Sequence, residues 1–279
     1  MTFIVILISL LIERFFDWSH LRYWNVYLAY QNKLLKKFPT LSPYFALAFA
    51  MIPLLIIVGL MNLLILDWLY GFVELLFDIV ILLFCFGQRN LWADAFACIN
   101  VLMRGDIQFA EETLKTSFNI TDIKHAQSVH QQLISNIFIE ANRRVFSVIV
   151  WFIIFGPMGA VLYRCMALTA DASLRDKVTP ELSQSAFFLE SILDWLPIRI
   201  FTILFALGGH FVQVFACLRY KTWLYFSSNS VLLSQSGIAS LGYHDSLPED
   251  GSAETHAISL LDRVFIIVLV IIAMMAWLI

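Results

Sequence analysis

Apolar segments long enough to cross a membrane alternate with short polar segments along the chain. A helix of about 20 apolar residues crosses the roughly 30 Å hydrocarbon core of a bilayer. Besides the five segments given in the next sentence, the shorter apolar segment Thr2 to Ile12 ends at Glu13-Arg14. It predicts either another span or an amphipathic helix. The five segments predicted to span a membrane are residues 41–66, 68–86, 145–170, 198–218 and 264–279. The predicted fold class is therefore an all-α, polytopic transmembrane helical bundle.

The polar segments divide this bundle into six parts. We predict an N-terminal apolar helix with a basic amphipathic segment, a transmembrane hairpin and a cytoplasmic helical segment. A transmembrane pair with an outer loop at 171–189, a cytoplasmic Ser/Gly-rich segment and a C-terminal transmembrane helix follow. Their ranges, in order, are 1–40, 41–86, 87–144, 145–218, 219–263 and 264–279.

The polar segment 87–144 has helical periodicity. Apolar side chains recur every three or four positions from Leu91 to Leu102, and a second apolar stripe runs from Ile123 to Ile137. No glycine-rich phosphate loop follows a strand pattern in the sequence. The segment therefore predicts amphipathic helices that pack on one another or on the membrane surface, rather than a nucleotide-binding domain.

The composition supports a membrane protein. Hydrophobic residues make up 60% of the 279 residues and charged residues 14%, against about 45–50% and about 25% in soluble domains. The mean hydropathy of +0.80 excludes an ordinary soluble enzyme. A net charge of −3 provides no basic field for nucleic acid. The four cysteines are scattered singly and predict small buried side chains rather than a disulfide framework or a zinc site.

The distribution of basic residues predicts the orientation. Fourteen of the eighteen lysines and arginines lie in the three segments 13–40, 87–144 and 219–263. Basic residues are enriched in cytoplasmic loops, so we expect these segments on the cytoplasmic side. The loop 171–189 would then lie outside.

Several polar residues lie within or beside the predicted spans. Arg164, Asp194 and Arg199 carry charges that cost free energy in a membrane. Either Arg164 or Arg199 pairs with an acid on another helix, or these residues line an interior polar pocket. The stretch Gly156 to Ala160, GPMGA, interrupts the third span with one proline and two glycines. It predicts either close helix packing through small residues or a broken helix that lines a site.

Familiar catalytic and metal-binding motifs are missing from the sequence. It contains no HExxH or CxxC motif and no serine–histidine–acid order, and His125 and His130 are five positions apart, which does not place them on one helix face. We therefore predict no catalytic residue, no bound metal and no cofactor from the residues alone.

Several stretches together resemble the AmpE family of bacterial inner-membrane proteins. They are LLIERFF at Leu10–Phe16, RGD at Arg104–Asp106, EANRRVFSVIVWF at Glu140–Phe152, FGPMGAVLYR at Phe155–Arg164 and LDWLPIR at Leu193–Arg199. The resemblance implies a signalling modulator of chromosomal β-lactamase induction, hence of the antibiotic response, with no established reaction. It also implies association with a cytoplasmic amidase that recycles peptidoglycan fragments.

The same stretches are more distantly similar to the CobD/CbiB membrane proteins of cobalamin biosynthesis, which form an amide between a corrinoid acid and an aminopropanol phosphate. The positions that match the packing pattern of that family are Gly156, Gly159, Ala160, Tyr163, Arg164, Trp195, Pro197, Arg199 and Asn229. Its acidic positions differ. Arg143 replaces the aspartate of ENxxDG, Ser234 replaces the acid of PEAA, and residues 167–171 lose the asparagine and aspartate of NTLDS.

Loss of these acids implies that the fold survives without the amide-forming chemistry, because such a ligase needs carboxylates to handle metal and phosphate. We therefore predict an AmpE-type modulator in the inner membrane that senses peptidoglycan recycling. The alternative is a CobD/CbiB-type amide-forming enzyme. A small transporter is a third possibility, which the broken span motivates and no inverted repeat supports.

The residues of the hypothetical ligand site are predicted at two depths in the membrane. One group lies at the cytoplasmic membrane face and the other nearer the outer end. The predicted site residues are Arg104, Asp106, Glu140, Asn142 and Arg143 in the first group, and Tyr163, Arg164, Asp194 and Arg199 in the second, with Asn229 in addition. The predicted partners are the lipid bilayer, a cytoplasmic peptidoglycan-recycling amidase, and a muropeptide or nucleotide ligand.

Overall fold

In a computed structural model of the chain, all regular structure among the described residues is helical. These residues are 2–16, 22, 24–38, 42–65, 71–87, 89–103, 126–171, 179–218, 225–243, 247–248 and 251–278. The α-helices are α1 Thr2–Phe15, α2 Asn25–Lys37, α3 Pro43–Ile65, α4 Phe72–Cys85, α5 Leu91–Met103, α6 Ala126–Ala141, α7 Ser147–Ala170, α8 Pro180–Leu193, α9 Trp195–Gly208, α10 Phe211–Leu218, α11 Asn229–Ser240 and α12 Ser252–Leu278. A π-helical turn, Asn142–Phe146, joins α6 to α7, and a 3₁₀ turn, Phe226–Ser228, precedes α11.

The chain forms two compact units. Unit 1 comprises Met1–Gln88 and Ser147–Leu193, and unit 2 comprises Arg89–Phe146 and Asp194–Ile279. Their ranges alternate, so the predicted division into six consecutive parts does not describe how the chain packs. It stays a prediction about which segments are polar or apolar.

In unit 1, α7 packs against α3, α4 and α8, while α1 packs against α4 and α2 against α3. The helices of this unit expose many apolar side chains. Leu64 at the end of α3, for example, is 77% exposed. A surface of this kind is unfavourable in water and suits a lipid environment.

Helix α7 is broken within the GPMGA stretch. Gly156 has φ 65° and ψ −154°, a conformation that side-chain-bearing residues avoid, and Pro157 next to it has no backbone N–H to donate. The break in this helix is therefore confirmed, and its role in lining a site stays a prediction. Gly159 provides the close packing as well, since a Cβ atom there would lie 2.1 Å from the carbonyl oxygen of Trp151.

Unit 2 has an aromatic core. Helix α9 packs against α10, α11 and α12, and α6 packs against α5, α11 and α12. The rings of Phe146 and Phe201 stack with their centroids 4.3 Å apart, and those of Phe138 and Phe205 meet edge-on at 4.8 Å. These side chains fix the π-helical turn against α9. Of the predicted apolar stripe, Val129, Leu133 and Ile137 are buried on this side, and Ile123 lies outside the described residues. Helix α5 has the predicted bounds within one residue.

By length and composition, three helical segments among the described residues are able to cross a membrane. They are Pro43–Ile65, Val129–Ala170 and Ser252–Leu278. The α8–α9 pair, bent by 48°, makes a fourth if it forms one span. The structure therefore supports a polytopic helical protein with three or four spans, fewer than the five predicted.

The difference from five spans has local causes. Helix α4 has only 14 residues, which is short for the predicted span 68–86. The predicted span 198–218 breaks after Gly208, where α9 ends. Pro180 begins α8 inside the predicted outer loop. It occupies a first-turn position that favours proline, and Glu181 follows it near the positive helix end. The predicted Ser/Gly-rich segment likewise contains α11 and the start of α12.

Candidate functional site

The π-helical turn Asn142–Phe146 places polar side chains in the interior of unit 2. A π turn widens the helix by one residue, and such turns often occur at functional sites. Asn142 and Arg144 are 2% and 9% exposed, respectively. Both are thus directed away from solvent in a part of the helix where the regular hydrogen-bond pattern changes.

Arg144 forms two ion pairs from this turn. Its Nε donates to Oε2 of Glu140 at 2.6 Å, and its Nη1 donates to Oδ2 of Asp94 at 2.8 Å. Glu140 lies one helical turn earlier on α6, whereas Asp94 lies in the first turn of α5. One guanidinium therefore joins two helices. The two carboxylates leave this group of three side chains with one net negative charge.

Asn142 connects the same turn to the start of α9. Its Nδ2 donates to Oδ1 of Asp194 at 3.2 Å. The Oδ1 atom of Asn142 is buried and has no hydrogen-bond partner among the described residues. A buried acceptor without a donor costs free energy. A ligand that donates a hydrogen bond to this atom would remove that cost. We call Asp94, Glu140, Asn142, Arg144 and Asp194 the π-turn cluster.

Arg199 holds the next part of α9 against the start of α11. Its guanidinium donates to the side-chain oxygen of Asn229, to the carbonyl oxygen of Trp195 at 3.1 Å and to that of Tyr225 at 3.2 Å. The same group lies 4.9 Å from the centre of the Trp195 ring, within cation–π range. The buried Trp195 Nε1 has no hydrogen-bond acceptor in the described part of the chain.

A proline explains why α8 and α9 are separate helices. Pro197 cannot donate to the carbonyl of Leu193, four residues earlier, so the helical pattern breaks between them. The freed Leu193 carbonyl instead accepts a hydrogen bond from the Trp151 indole of unit 1 at 3.3 Å. The break leaves Asp194 at the N-cap of α9, where it contacts Asn142.

The predicted site residues are distributed over both units. Glu140, Asn142, Arg143, Asp194, Arg199 and Asn229 belong to unit 2. Tyr163 and Arg164 belong to unit 1, where they are 0% and 5% exposed. Arg104 and Asp106 lie outside the described residues.

One part of the prediction is wrong. Asn142 was expected at the cytoplasmic membrane face and Asp194 nearer the outer end, but their hydrogen bond places them at one level. The 24-residue separation of Glu140 and Arg164 suggested two levels, and Asp194 was assigned to the outer one because of the predicted loop 171–189. Since α8 occupies much of that loop, Asp194 comes at the end of a helix that returns from it.

The sequence interpretation also missed buried charges. Arg144 was counted only as a loop charge, although its i, i+4 spacing from Glu140 is a recognisable signal of an ion pair. In unit 1, Glu13 and Arg22 form a buried ion pair, and Arg22 also donates to the carbonyl oxygen of Gly87 at 2.6 Å. Glu13 therefore does not end the apolar segment but lies within α1, which continues to Phe15. No sequence spacing indicates the pairing of Glu13 with Arg22.

A family model described as "Regulatory signalling modulator protein AmpE" matches residues 1–278. The chain belongs to the AmpE family. The resemblance seen in the sequence motifs is thereby confirmed over almost the whole length of the chain.

This AmpE-family chain is also similar to two curated proteins named "Cobalamin biosynthesis protein CobD". The one from Chromobacterium violaceum is 27% identical over 173 residues, which covers 61% of this chain and 55% of the relative. The one from Stutzerimonas stutzeri is 25% identical over 172 residues, covering 59% of this chain and 55% of the relative. The matched part thus spans about half the length of these relatives. No solved structure matches the chain.

Positions of the AmpE-family chain that fit the CobD/CbiB packing pattern have structural roles here. Gly156 adopts the positive φ that breaks α7, and Arg199 bonds to Asn229. Ser234 stands where that pattern has an acid, and its hydroxyl donates to the hydroxyl of Ser135 at 2.6 Å.

Proposed function

We propose that this chain is an inner-membrane signalling modulator of the AmpE type, linked to β-lactamase induction and to the sensing of peptidoglycan recycling. The observation that carries the proposal is the family match over residues 1–278. The neutral Ser234–Ser135 pair supports it, because an amide-forming enzyme would need a carboxylate in such a place.

We further propose that the π-turn cluster and Arg199 form the site that reads the signal. The buried Asn142 Oδ1 accepts no hydrogen bond and the buried Trp195 Nε1 donates none within the described residues. Asp194 precedes Trp195 in the chain and accepts a hydrogen bond from Asn142, so one residue links the two side chains that carry these atoms. A ligand with amide groups offers one donor and one acceptor to such a pair.

A muropeptide fits this requirement. Its peptide stem carries amides, each of which offers one N–H donor and one carbonyl acceptor. A cytoplasmic peptidoglycan-recycling amidase is the proposed partner, since it acts on the same class of molecule. A nucleotide-linked fragment is a second ligand of related chemistry.

We propose a cytoplasmic location for the main polar segments 13–40, 87–144 and 219–263. Five spans, with α1 as a sixth, accommodate this topology if the bilayer is locally thinner at short helices such as α4. The support is the concentration of basic residues in these segments.

Cysteine labelling tests the orientation. In a variant with Cys217 changed to serine, single cysteines near Lys36 and Lys115 should be protected from an impermeant reagent in intact cells. A cysteine near Arg175 should react. The other three native cysteines are buried and should stay silent. Labelling near Lys115 from outside would contradict the proposed orientation.

The similarity to CobD proteins favours one alternative, a membrane-bound amide-forming enzyme of the CobD/CbiB type. It would use the same fold and would need a corrinoid acid and a phosphorylated amine. The two functions predict different molecules bound to the purified protein.

Untargeted mass spectrometry of the detergent-purified protein separates the two functions. The modulator should retain a muropeptide or the amidase. Asn142→Leu should lose the muropeptide, because leucine lacks the oxygen that accepts a hydrogen bond from an amide of the ligand. Lys36→Gln, on the exposed surface of α2, is the matched control and should retain it. A corrinoid in the wild-type preparation would instead favour the enzyme.

A further inference from the structure

A polar cavity lies in unit 2, and no residue of the π-turn cluster lines it. Its volume is about 270 Å³, and its walls come from the end of α9, the start of α10, the end of α11 and the middle of α12. His210, His256 and Arg263 line it together with Gly208, Gly209 and Ser240. Among the described residues that line this cavity, the side chains are basic or neutral and none is a carboxylate.

The cavity retains unused hydrogen-bond donors. Arg263 donates from Nε to the carbonyl oxygen of Ser259 and from Nη1 to that of Gly208, both at 3.3 Å, which leaves Nη2 without a partner among the described residues. The Nδ1 atom of His256 shares a hydrogen bond with the Tyr243 hydroxyl at 2.7 Å, so its Nε2 remains available. The backbone N–H of His210 bonds to Ser240, and its ring makes no hydrogen bond within the described part of the chain.

Close backbone contacts hold these groups in place. A Cβ atom on Gly209 would lie 2.4 Å from the Ser240 carbonyl oxygen, and one on Gly242 would lie 2.2 Å from Nε2 of His210. Gly242 also has φ 81°, which favours glycine. The two glycines therefore let α9 approach α11 and let the His210 ring lie over the turn at Gly242. The positive end of the α10 dipole, at Phe211, adds to the field on the same side.

Two described acids near the cavity have other partners. Asp262 accepts a hydrogen bond from the Trp92 indole at 3.0 Å, and Glu254 is fully buried against His130 at 2.6 Å. Both thus have partners away from Arg263 and the two lining histidines. The described side chains around the cavity present a positively charged, donor-rich surface, which suits a phosphate group.

The cavity also lies where the chain enters the apolar region. Arg263 is the last charged residue of α12, and Val264 to Leu278 is apolar throughout. Beside it, α10 exposes Phe211, Val212 and Phe215, of which Val212 is 80% exposed. An apolar surface next to a basic cavity at the edge of a span matches the two parts of a phospholipid, its acyl chains and its headgroup.

We propose that this cavity binds the phosphate headgroup of an anionic phospholipid. The phosphate accepts hydrogen bonds from Arg263, His210 and His256, and the acyl chains lie along the exposed face of α10. The site is separate from the ligand site of the proposed function and does not depend on it. Its occupancy anchors the end of α9 to the start of the apolar part of α12.

Native mass spectrometry of the full-length protein in neutral detergent tests the proposal. Phosphatidylglycerol and phosphatidylcholine with identical acyl chains should be titrated separately, because both contain a phosphodiester but only the first is anionic overall. We expect the wild type to bind phosphatidylglycerol at least tenfold more tightly. Arg263→Gln and the double variant His210→Gln/His256→Gln should each lower that preference at least fivefold, while Lys36→Gln, which removes an exposed charge elsewhere, should leave it unchanged.

Three results would overturn the proposal. The first is equal affinity of the wild type for the two lipids. The second is an unchanged preference in both cavity variants, provided that their size-exclusion profiles match the wild type. The third is displacement of bound phosphatidylglycerol by millimolar glycerol 1-phosphate, which would show that a soluble phosphate is the natural occupant. Retention of the lipid against that competitor supports the headgroup assignment.

Discussion

The side-chain amide of Asn142 donates to the carboxylate of Asp194 at 3.2 Å, across 52 positions of the sequence. This contact joins a π-helical turn to the break between α8 and α9. Both are places where the regular helical hydrogen-bond pattern is interrupted, one by an extra residue and the other by Pro197. The polar groups of the candidate site therefore lie where the backbone itself departs from regular helix.

Asn142→Leu should destabilise unit 2 by about 1–3 kcal/mol, because Asp194 loses one buried donor. Asp194→Asn should cost less, since an amide can still accept from Asn142. The measurement is the melting temperature of the detergent-purified protein. Lys36→Gln serves as the control and should melt like the wild type. A wild-type melting temperature for Asn142→Leu would show that the contact contributes nothing to folding.

Arg144→Met should be more harmful than Arg143→Met. Removal of the Arg144 guanidinium leaves the carboxylates of Glu140 and Asp94 facing each other in a largely buried place, which costs about 3–5 kcal/mol. Arg143 is only partly buried. Addition of Glu140→Gln and Asp94→Asn to Arg144→Met should recover much of the loss in the same melting assay. Equal effects of the two single variants would contradict the ion-pair arrangement.

The sequence predicts those features that depend on local spacing. The helical stripe that ends at Ile137, the bounds of α5 and the break at Gly156 all follow from periodicity or from glycine and proline. The Glu13–Arg22 and Arg144–Asp94 pairs do not, because each depends on how distant segments pack. The spans were overcounted for a related reason. Hydropathy shows that a segment is apolar but does not show where its helix begins or ends.

Gly156→Ala and Gly159→Ala should both destabilise unit 1, for different reasons. At Gly156 a Cβ atom would meet nothing within 4 Å, so the cost of about 1–3 kcal/mol comes from the backbone conformation at φ 65° and ψ −154° alone. At Gly159 the Cβ would lie 2.1 Å from the backbone of Trp151, so the helix itself must shift and the loss should be larger. The melting temperatures of the two variants, compared with that of the wild type, should show this order. An unchanged melting temperature of Gly156→Ala would argue against the break at Gly156, and the reverse order would argue against the close contact at Gly159.

Arg164 tests the part of the predicted site that lies in unit 1. It is 5% exposed, and it lies within electrostatic range of Cys85 and Cys165 of the same unit. We expect Arg164→Lys and Arg164→Met to insert normally and yet to lose β-lactamase modulation, since neither reproduces the forked donors of a guanidinium. If Arg164→Met modulates normally at the wild-type protein level, the residue is structural.

Arg199 belongs to the proposed site, and replacing it with lysine tests its role there. Lysine retains the charge but cannot donate to Asn229, Trp195 and Tyr225 together, nor lie flat on the Trp195 ring. Arg199→Lys should therefore lower the melting temperature and weaken binding of a muropeptide, measured by co-purification. Unchanged retention of the muropeptide at reduced stability would limit Arg199 to a packing role.

The most direct test of the account is inducible β-lactamase activity in cells that lack this chain. After addition of a β-lactam inducer, the activity should differ from that of the parent strain. The wild-type chain should restore it, whereas Asn142→Leu, produced at the same level in the membrane, should not. The proposed modulator function is contradicted if induction is the same with and without the chain.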